Sequence, residues 1–166
     1  SELTVGSFNM QHLCDGDAPG DDGCVRDTPD YPGVFPAPTP YDYAGKLARV
    51  SAYVREVLRS PDVLGAQEVD EQSTLQDLAN RIQADGGPAY TAYLVDGNDP
   101  GGIDVGYLVR NDRLSDVVVT QFFKANTWPD PNGTDVLHDR PPLLLRANFR
   151  STPTARPFPI ALLNNH

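Results

Sequence analysis

Three polar residues stand where otherwise apolar segments run out: Asn9 near the end of Leu3–Met10, Glu68 near the end of Asp62–Val69, and His166 at the end of Phe158–His166. A fourth, Asp104, sits near the start of Ile103–Arg110. A lone carboxylate at a strand end is ordinarily just solvated, and that reading stands for Glu68 taken by itself. Several strand ends that converge on an acid, an amide and an imidazole read differently. Carboxylate and carbonyl oxygens are what a hard divalent cation such as Mg²⁺ takes, and Mg²⁺ keeps water positions open for a substrate phosphate. Such a set suits phosphoryl chemistry.

Positioning these residues requires strands and the helices that cover them. Leu3 to Met10 is apolar or small on both faces, which predicts a strand inside a sheet covered on both sides. Tyr43 to Ser60 places Leu47, Val50, Ser51, Val54, Val57 and Leu58 at helical spacing, with Pro61 as the stop. Asp62 to Val69 predicts a short buried strand. Ser73-Thr74-Leu75-Gln76 has capping-box spacing and predicts a second helix that turns Leu75, Leu78, Ala79 and Ile82 inward. From Ala89 onward the pattern changes to strands: 89–96, 103–110, 114–123, 143–149 and 158–166, separated by turn signals such as Gly97-Asn98-Asp99-Pro100-Gly101-Gly102. Helices first and successive strands later predict one α+β domain with mixed sheets over residues 1–166.

Composition narrows the function classes. Twenty-three acidic and thirteen basic residues in 166 give a net charge of −10, which argues against a chromatin-like or polybasic membrane binder. The charge is uneven: residues 1–45 carry eight acids against Arg26 alone, and residues 137–160 carry four arginines against Asp139. No apolar run reaches the roughly 18 residues of a membrane span, and Ser1-Glu2-Leu3-Thr4 has no signal-type apolar core, as expected of a soluble, already processed chain. Six of the sixteen prolines fall at positions 19–40, marking a Pro/Asp-rich insertion at about 11–42. Cys14 and Cys24 lie within it, and a bridge there would close a short loop worth about 2–3 kcal/mol. An oxidising, extracellular compartment would explain the pair, and two unrelated free thiols are the alternative. Asp15, Asp17, Asp21 and Asp22 could hold a structural Ca²⁺, although the EF-hand spacing of Gly and Glu is absent. Asn132-Gly133-Thr134 is a glycosylation sequon, a short pattern that also arises by chance.

Five segments carry a resemblance. Leu3-Thr4-Val5-Gly6-Ser7-Phe8-Asn9, Pro61-Asp62-Val63-Leu64-Gly65-Ala66-Gln67-Glu68-Val69 and Leu162-Leu163-Asn164-Asn165-His166 occur in the order seen in the endonuclease/exonuclease/phosphatase superfamily. Gly102 to Arg110 and Asp139-Arg140-Pro141-Pro142-Leu143 resemble segments of its secreted, DNase I-like bacterial nucleases. The resemblance implies a four-layer αββα sandwich with mixed sheets that hydrolyses phosphate esters with Mg²⁺ or Mn²⁺. It further implies that Glu68 binds the metal and that Asn9 holds the metal-proximal network. His166 would contact the scissile phosphate and take part in acid/base work. Asp104 would orient that histidine, and Arg140 would contact phosphate through its planar fork of donors. The plain alternatives are a surface arginine before an edge strand for Arg140 and a hairpin cap for Asp104. His12 and His138 match no motif and read as surface or loop residues, whereas Tyr107 reads as core.

The later Gly-Asp-x-Asn and Ser-Asp-His segments of the superfamily have no counterpart, so the chain resembles its N-terminal half. The expectation is an incomplete chain, or a cleaved one still bound to its C-terminal half, with an apolar sheet face left to cover, and a true half-domain is the third alternative. The leading function is a secreted Mg²⁺-dependent endonuclease acting on DNA, with RNA as a further substrate class. The alternatives are a phosphatase or lipid phosphodiesterase of the same superfamily, and a non-catalytic binding domain that retains the fold.

Overall fold

The computed structural model describes residues 2–15, 40–131 and 133–166. Cys24, Asp17, Asp21, Asp22 and Asn132 lie outside these residues. The expected disulfide, calcium loop and sequon therefore lie outside them as well.

Among the described residues, nine strands and two helices follow in the order β1 (Val5–Leu13), α1 (Pro40–Ala52), β2 (Val63–Val69), α2 (Gln72–Ala84), β3 (Tyr90–Leu94), β4 (Asp104–Arg110), β5 (Leu114–Gln121), β6 (Thr127–Asp130), β7 (Gly133–Val136), β8 (Leu143–Phe149) and β9 (Phe158–Asn164). A π-helical turn, Tyr53–Val57, continues α1. The first sheet has the order β1-β2-β4-β3, with β1 parallel to β2 and the other pairs antiparallel. The second, β5-β8-β9, is antiparallel throughout, and β6 and β7 form a separate hairpin.

Two apolar clusters set the layers. On one face of the first sheet, Leu64, Ala66, Ala92 and Leu108 pack with Leu47, Val50 and Val54 of the α1 segment and with Leu75, Leu78 and Ile82 of α2. On the other face, Val63, Val105, Tyr107 and Val109 pack with Leu143, Leu145 and Ala147 of β8. The layers are thus helix, sheet, sheet, with strands buried on both faces where the sequence is apolar throughout. Tyr107 is core, as its strand context predicts. Its hydroxyl lies 3.0 and 2.9 Å from the carbonyl oxygens of Leu143 and Leu162, which share its single proton, and this satisfies the one polar atom the ring brings into the interior.

Asn164 is the main polar tie between the sheets. Its side-chain amide donates to the carbonyls of Ala66 and Gly106 at 2.9 and 2.8 Å, and its oxygen accepts from Gln67 at 2.6 Å. A buried amide with both ends engaged fixes the end of β9 against β2 and β4. His166 follows two residues later.

Four expectations change. Among the described residues β1 lies at the edge of its sheet, paired with β2 alone, and Val5 is 53% exposed. The first helix does not continue regularly to Ser60. The Leu58 amide bonds the Tyr53 carbonyl at a spacing of five, and this wider turn rotates Val57 into solvent. The capping box does not form: α2 begins at Gln72 after an extended Glu71 with no side-chain cap, and the Gln76 side-chain oxygen instead accepts from the Ala92 amide of β3. The β6–β7 hairpin has no counterpart among the expected strands, since Pro129 and Pro131 depress any strand signal there.

Candidate functional site

The site lies where β1 and β2 lose register. Asn9 pairs with Gln67 and Leu13 with Val69, so three residues of β1 oppose Glu68 alone. On its other side, β2 pairs Gln67 with Val105 and Val69 with Asp104, again skipping Glu68. Gln11, His12 and Glu68 all take left-handed backbone, with φ of 52°, 56° and 61°. A bulge of this kind turns out a side chain that regular alternation would otherwise place in the sheet. Left-handed backbone at three residues that are not glycine is strain that the surroundings must support. Lys46 of α1 supplies part of that support by donating to the carbonyls of Gln11 and His12.

Glu68, so displaced, gathers the residues that the sequence singled out. Asn9 donates its amide to Glu68 Oε1 at 2.8 Å, and Asn9 Oδ1 accepts from the Gln11 amide at 2.8 Å. His166 Nε2 lies 3.4 Å from Glu68 Oε1, and His12 Nε2 lies 3.7 Å from Oε2, so two imidazoles flank the carboxylate. Burial works to raise the Glu68 carboxyl, but the Asn9 bond and the charges of His12 and His166 outweigh it and hold the group below its ordinary value. Burial also holds the His12 imidazole below its usual range, against the pull of Glu68. An ionised, partly exposed carboxylate at neutral pH is a fit donor for a hard cation.

Among the described residues, no group of three or more His, Cys, Asp or Glu side chains could by itself enclose a metal ion. Among the described residues Glu68 would then act as a single-carboxylate donor. That suits an ion such as Mg²⁺, which keeps several waters and takes other ligands from substrate phosphate, better than one needing a full protein cage.

Arg140 reaches the same place from the segment before β8. Its Nη1 lies 3.1 Å from His166 Nδ1, and its Nη2 lies 2.8 Å from Asp99 Oδ1. The structure therefore brings together Asn9, Glu68, His166 and Arg140. Asp104 stands apart: His166 Nδ1 faces Arg140, and among the described residues no hydrogen bond joins Asp104 to His166. Asp104 is 5% exposed, and its Oδ1 is buried without a partner. Burial pushes its carboxyl up to about 6; a backbone bond from Gly97 works the other way, and the charges of Asp96 and Asp99 add to the rise.

Three contributors carry no mark in the sequence. His12 reads there as a loop residue, since its approach to Glu68 depends on the bulge. Asp99 reads as a turn residue, as Asp commonly is. Lys46 lies within the Tyr43–Ser60 helical pattern, where nothing singles it out. Only the three-dimensional convergence marks them.

No family model and no curated protein matches the chain. Solved structures do. An endonuclease/exonuclease/phosphatase from Bacteroides vulgatus superposes with a TM-score of 0.51 at 16% identity, over 97% of this chain and 51% of that one. A family protein from Bacteroides thetaiotaomicron gives 0.48 at 16% identity, over 97% and 50%. The mannosyl-6-phosphatase of the same organism gives 0.48 at 17%, over 98% and 51%. The chain thus spans about half the length of these structures. Over that half, it has the α+β fold of the endonuclease/exonuclease/phosphatase proteins.

Proposed function

We propose that the complete protein is a metal-dependent phosphoester hydrolase, and that this chain forms its metal-holding half. The observation that carries the reading is the Glu68 carboxylate, turned out by a bulge and flanked by Asn9, His12 and His166, with Arg140 behind His166. Glu68 would hold Mg²⁺ or Mn²⁺, and such an ion, when bound, neutralises phosphate charge and lowers the pKa of water. Asn9 fixes the rotamer of Glu68. Arg140 presents donors to a phosphate oxygen, and His166 stands at the position from which a proton can move to or from an ester oxygen.

The remaining ligands and the water-activating carboxylate would come from a C-terminal half, covalent or cleaved. Two features of the second sheet support such a partner. Among the described residues β9 is an edge strand, and Phe158, Leu163 and Val118 leave apolar surface exposed on that sheet.

The specific reading is a secreted endonuclease acting on DNA; secretion rests on the Cys14 and Cys24 expectation. The net charge of −10 on this chain favours a second reading, a phosphatase, because a small ester meets less repulsion than a polyanion, and a lipid phosphodiesterase is the further alternative within the superfamily. Turnover of supercoiled plasmid, a phosphomonoester, a phosphoinositide and sphingomyelin by the full-length protein, with Mg²⁺ and with chelator, separates these. Chelator-sensitive plasmid nicking favours the nuclease, and turnover of the small esters or lipids without nicking favours the second reading. No turnover of any ester by the folded protein would leave a binding domain.

A further inference from the structure

We propose that Asp99 is a positioning residue that aims Arg140 at His166 and so fixes which ring nitrogen of His166 carries the proton. The proposal deepens the hydrolase reading and rests on it for its catalytic consequence.

The geometry begins in the loop before β4. Asp99 is 7% exposed at its side chain and divides its two oxygens. Oδ2 accepts from the amides of Gly101 and Ile103 at 2.9 and 3.3 Å, which locks the carboxylate to its own loop. Oδ1 is left to meet Arg140 Nη2 at 2.8 Å. The segment that carries Arg140 is clamped by the residue next door. The Asn98 backbone amide donates to the Asp139 carbonyl at 2.7 Å, and its side-chain amide donates to the carbonyls of Lys124 and His138 at 2.8 and 2.9 Å. Gly97 permits the close approach, because a Cβ there would lie 2.8 Å from both the Asp139 carbonyl oxygen and Pro141 Cδ.

Held at one nitrogen by Asp99, the guanidinium directs Nη1 to His166 Nδ1, 3.1 Å away. A guanidinium only donates. Two donors face the ring, Arg140 Nη1 at 3.1 Å from Nδ1 and the Asn9 amide at 3.4 Å from Nε2. The shorter contact makes Nδ1 the accepting nitrogen and leaves the proton on Nε2, where Glu68 Oε1 at 3.4 Å accepts and the Asn9 amide is turned to Glu68. Asp99 thus does for the site, through arginine, what a carboxylate directly on Nδ1 would do with the opposite tautomer. Without Asp99 the fork is free to turn, and the ring can take either tautomer.

Long-range ¹H–¹⁵N correlation spectra of histidine-labelled full-length protein read the tautomer directly and need no activity. The wild type should show His166 as the Nε2–H form. Asp99→Asn, which keeps the volume but loses the charge, should give a mixture of tautomers and lower kcat about 10- to 100-fold, with KM changed less than about threefold. Arg140→Met should release the tautomer by itself, and adding Asp99→Asn to it should change the spectrum no further, since residues acting through one another are not additive. A wholly Nε2–H ring in Arg140→Met, or an unchanged ring in a folded Asp99→Asn, would overturn the proposal. Should the protein hydrolyse no ester while the tautomer still responds, the positioning stands and the hydrolase reading fails.

Discussion

Asp104 offers a quantitative test, because its carboxyl is buried with one oxygen unpartnered and is pushed up to about 6. In the unfolded chain an aspartate releases its proton near pH ~3.9. Between roughly pH 4 and 6 the folded state therefore binds more protons than the unfolded one, and stability contributed by this group falls as pH rises. The gap between these two values corresponds to about 3 kcal/mol, present in full below about pH 4, lost through pH ~6 and absent above it. Asp104→Asn removes the titration and the buried charge while keeping the shape. Urea denaturation of the wild type and the variant at intervals from about pH 4 to 8 gives the difference curve, in which the other titrating groups largely cancel. The two should agree within about 1 kcal/mol at pH ~4, and the variant should gain progressively to about 3 kcal/mol at pH ~8. A flat difference curve, or a variant that loses ground to the wild type as pH rises, would refute the assignment of the rise to burial.

Two further perturbations probe the frame that carries the site. Asn164→Leu removes two donated bonds and one accepted bond from the sheet–sheet tie and should cost about 2–4 kcal/mol in urea denaturation, with a loss below about 0.5 kcal/mol speaking against the tie. At the far end of the first sheet, Arg113 donates to buried Asp62 Oδ1 at 3.0 Å, and Asp62 would still keep Arg110 at 3.7 Å and two bonds from Thr4, so Arg113→Met should destabilise by about 2 kcal/mol by the same measurement.

Much of the fold is legible in the sequence because its signals are local. The apolar runs at 63–69 and 143–149 and the helical spacing of Leu75, Leu78 and Ile82 reflect burial that every residue in the run shares. Features set by a single irregular bond are not legible. The π turn that exposes Val57, the extended Glu71 that starts α2, and the hairpin around Pro129 and Pro131 all depend on tertiary contacts that override propensity. The site divides in the same way. Asn9, Glu68 and His166 are readable from residue type and their place at strand ends, and Arg140 from the resemblance alone. His12 and Asp99 are not, since a bulge at Glu68 and a clamp by Asn98 bring them into place. The relation of Asp104 to His166 follows from resemblance alone, and in the structure Arg140, not Asp104, meets His166.

The hydrolase reading depends on Glu68 holding a catalytic divalent cation. Phosphodiester hydrolysis by the full-length protein, titrated with Mg²⁺ for the wild type and for Glu68→Gln, probes that dependence without intermediate steps. The expected result is a saturable Mg²⁺ dependence in the wild type that chelator abolishes, and in the folded variant a loss of both turnover and saturation. Equal Mg²⁺-dependent turnover by Glu68→Gln and wild type would contradict it.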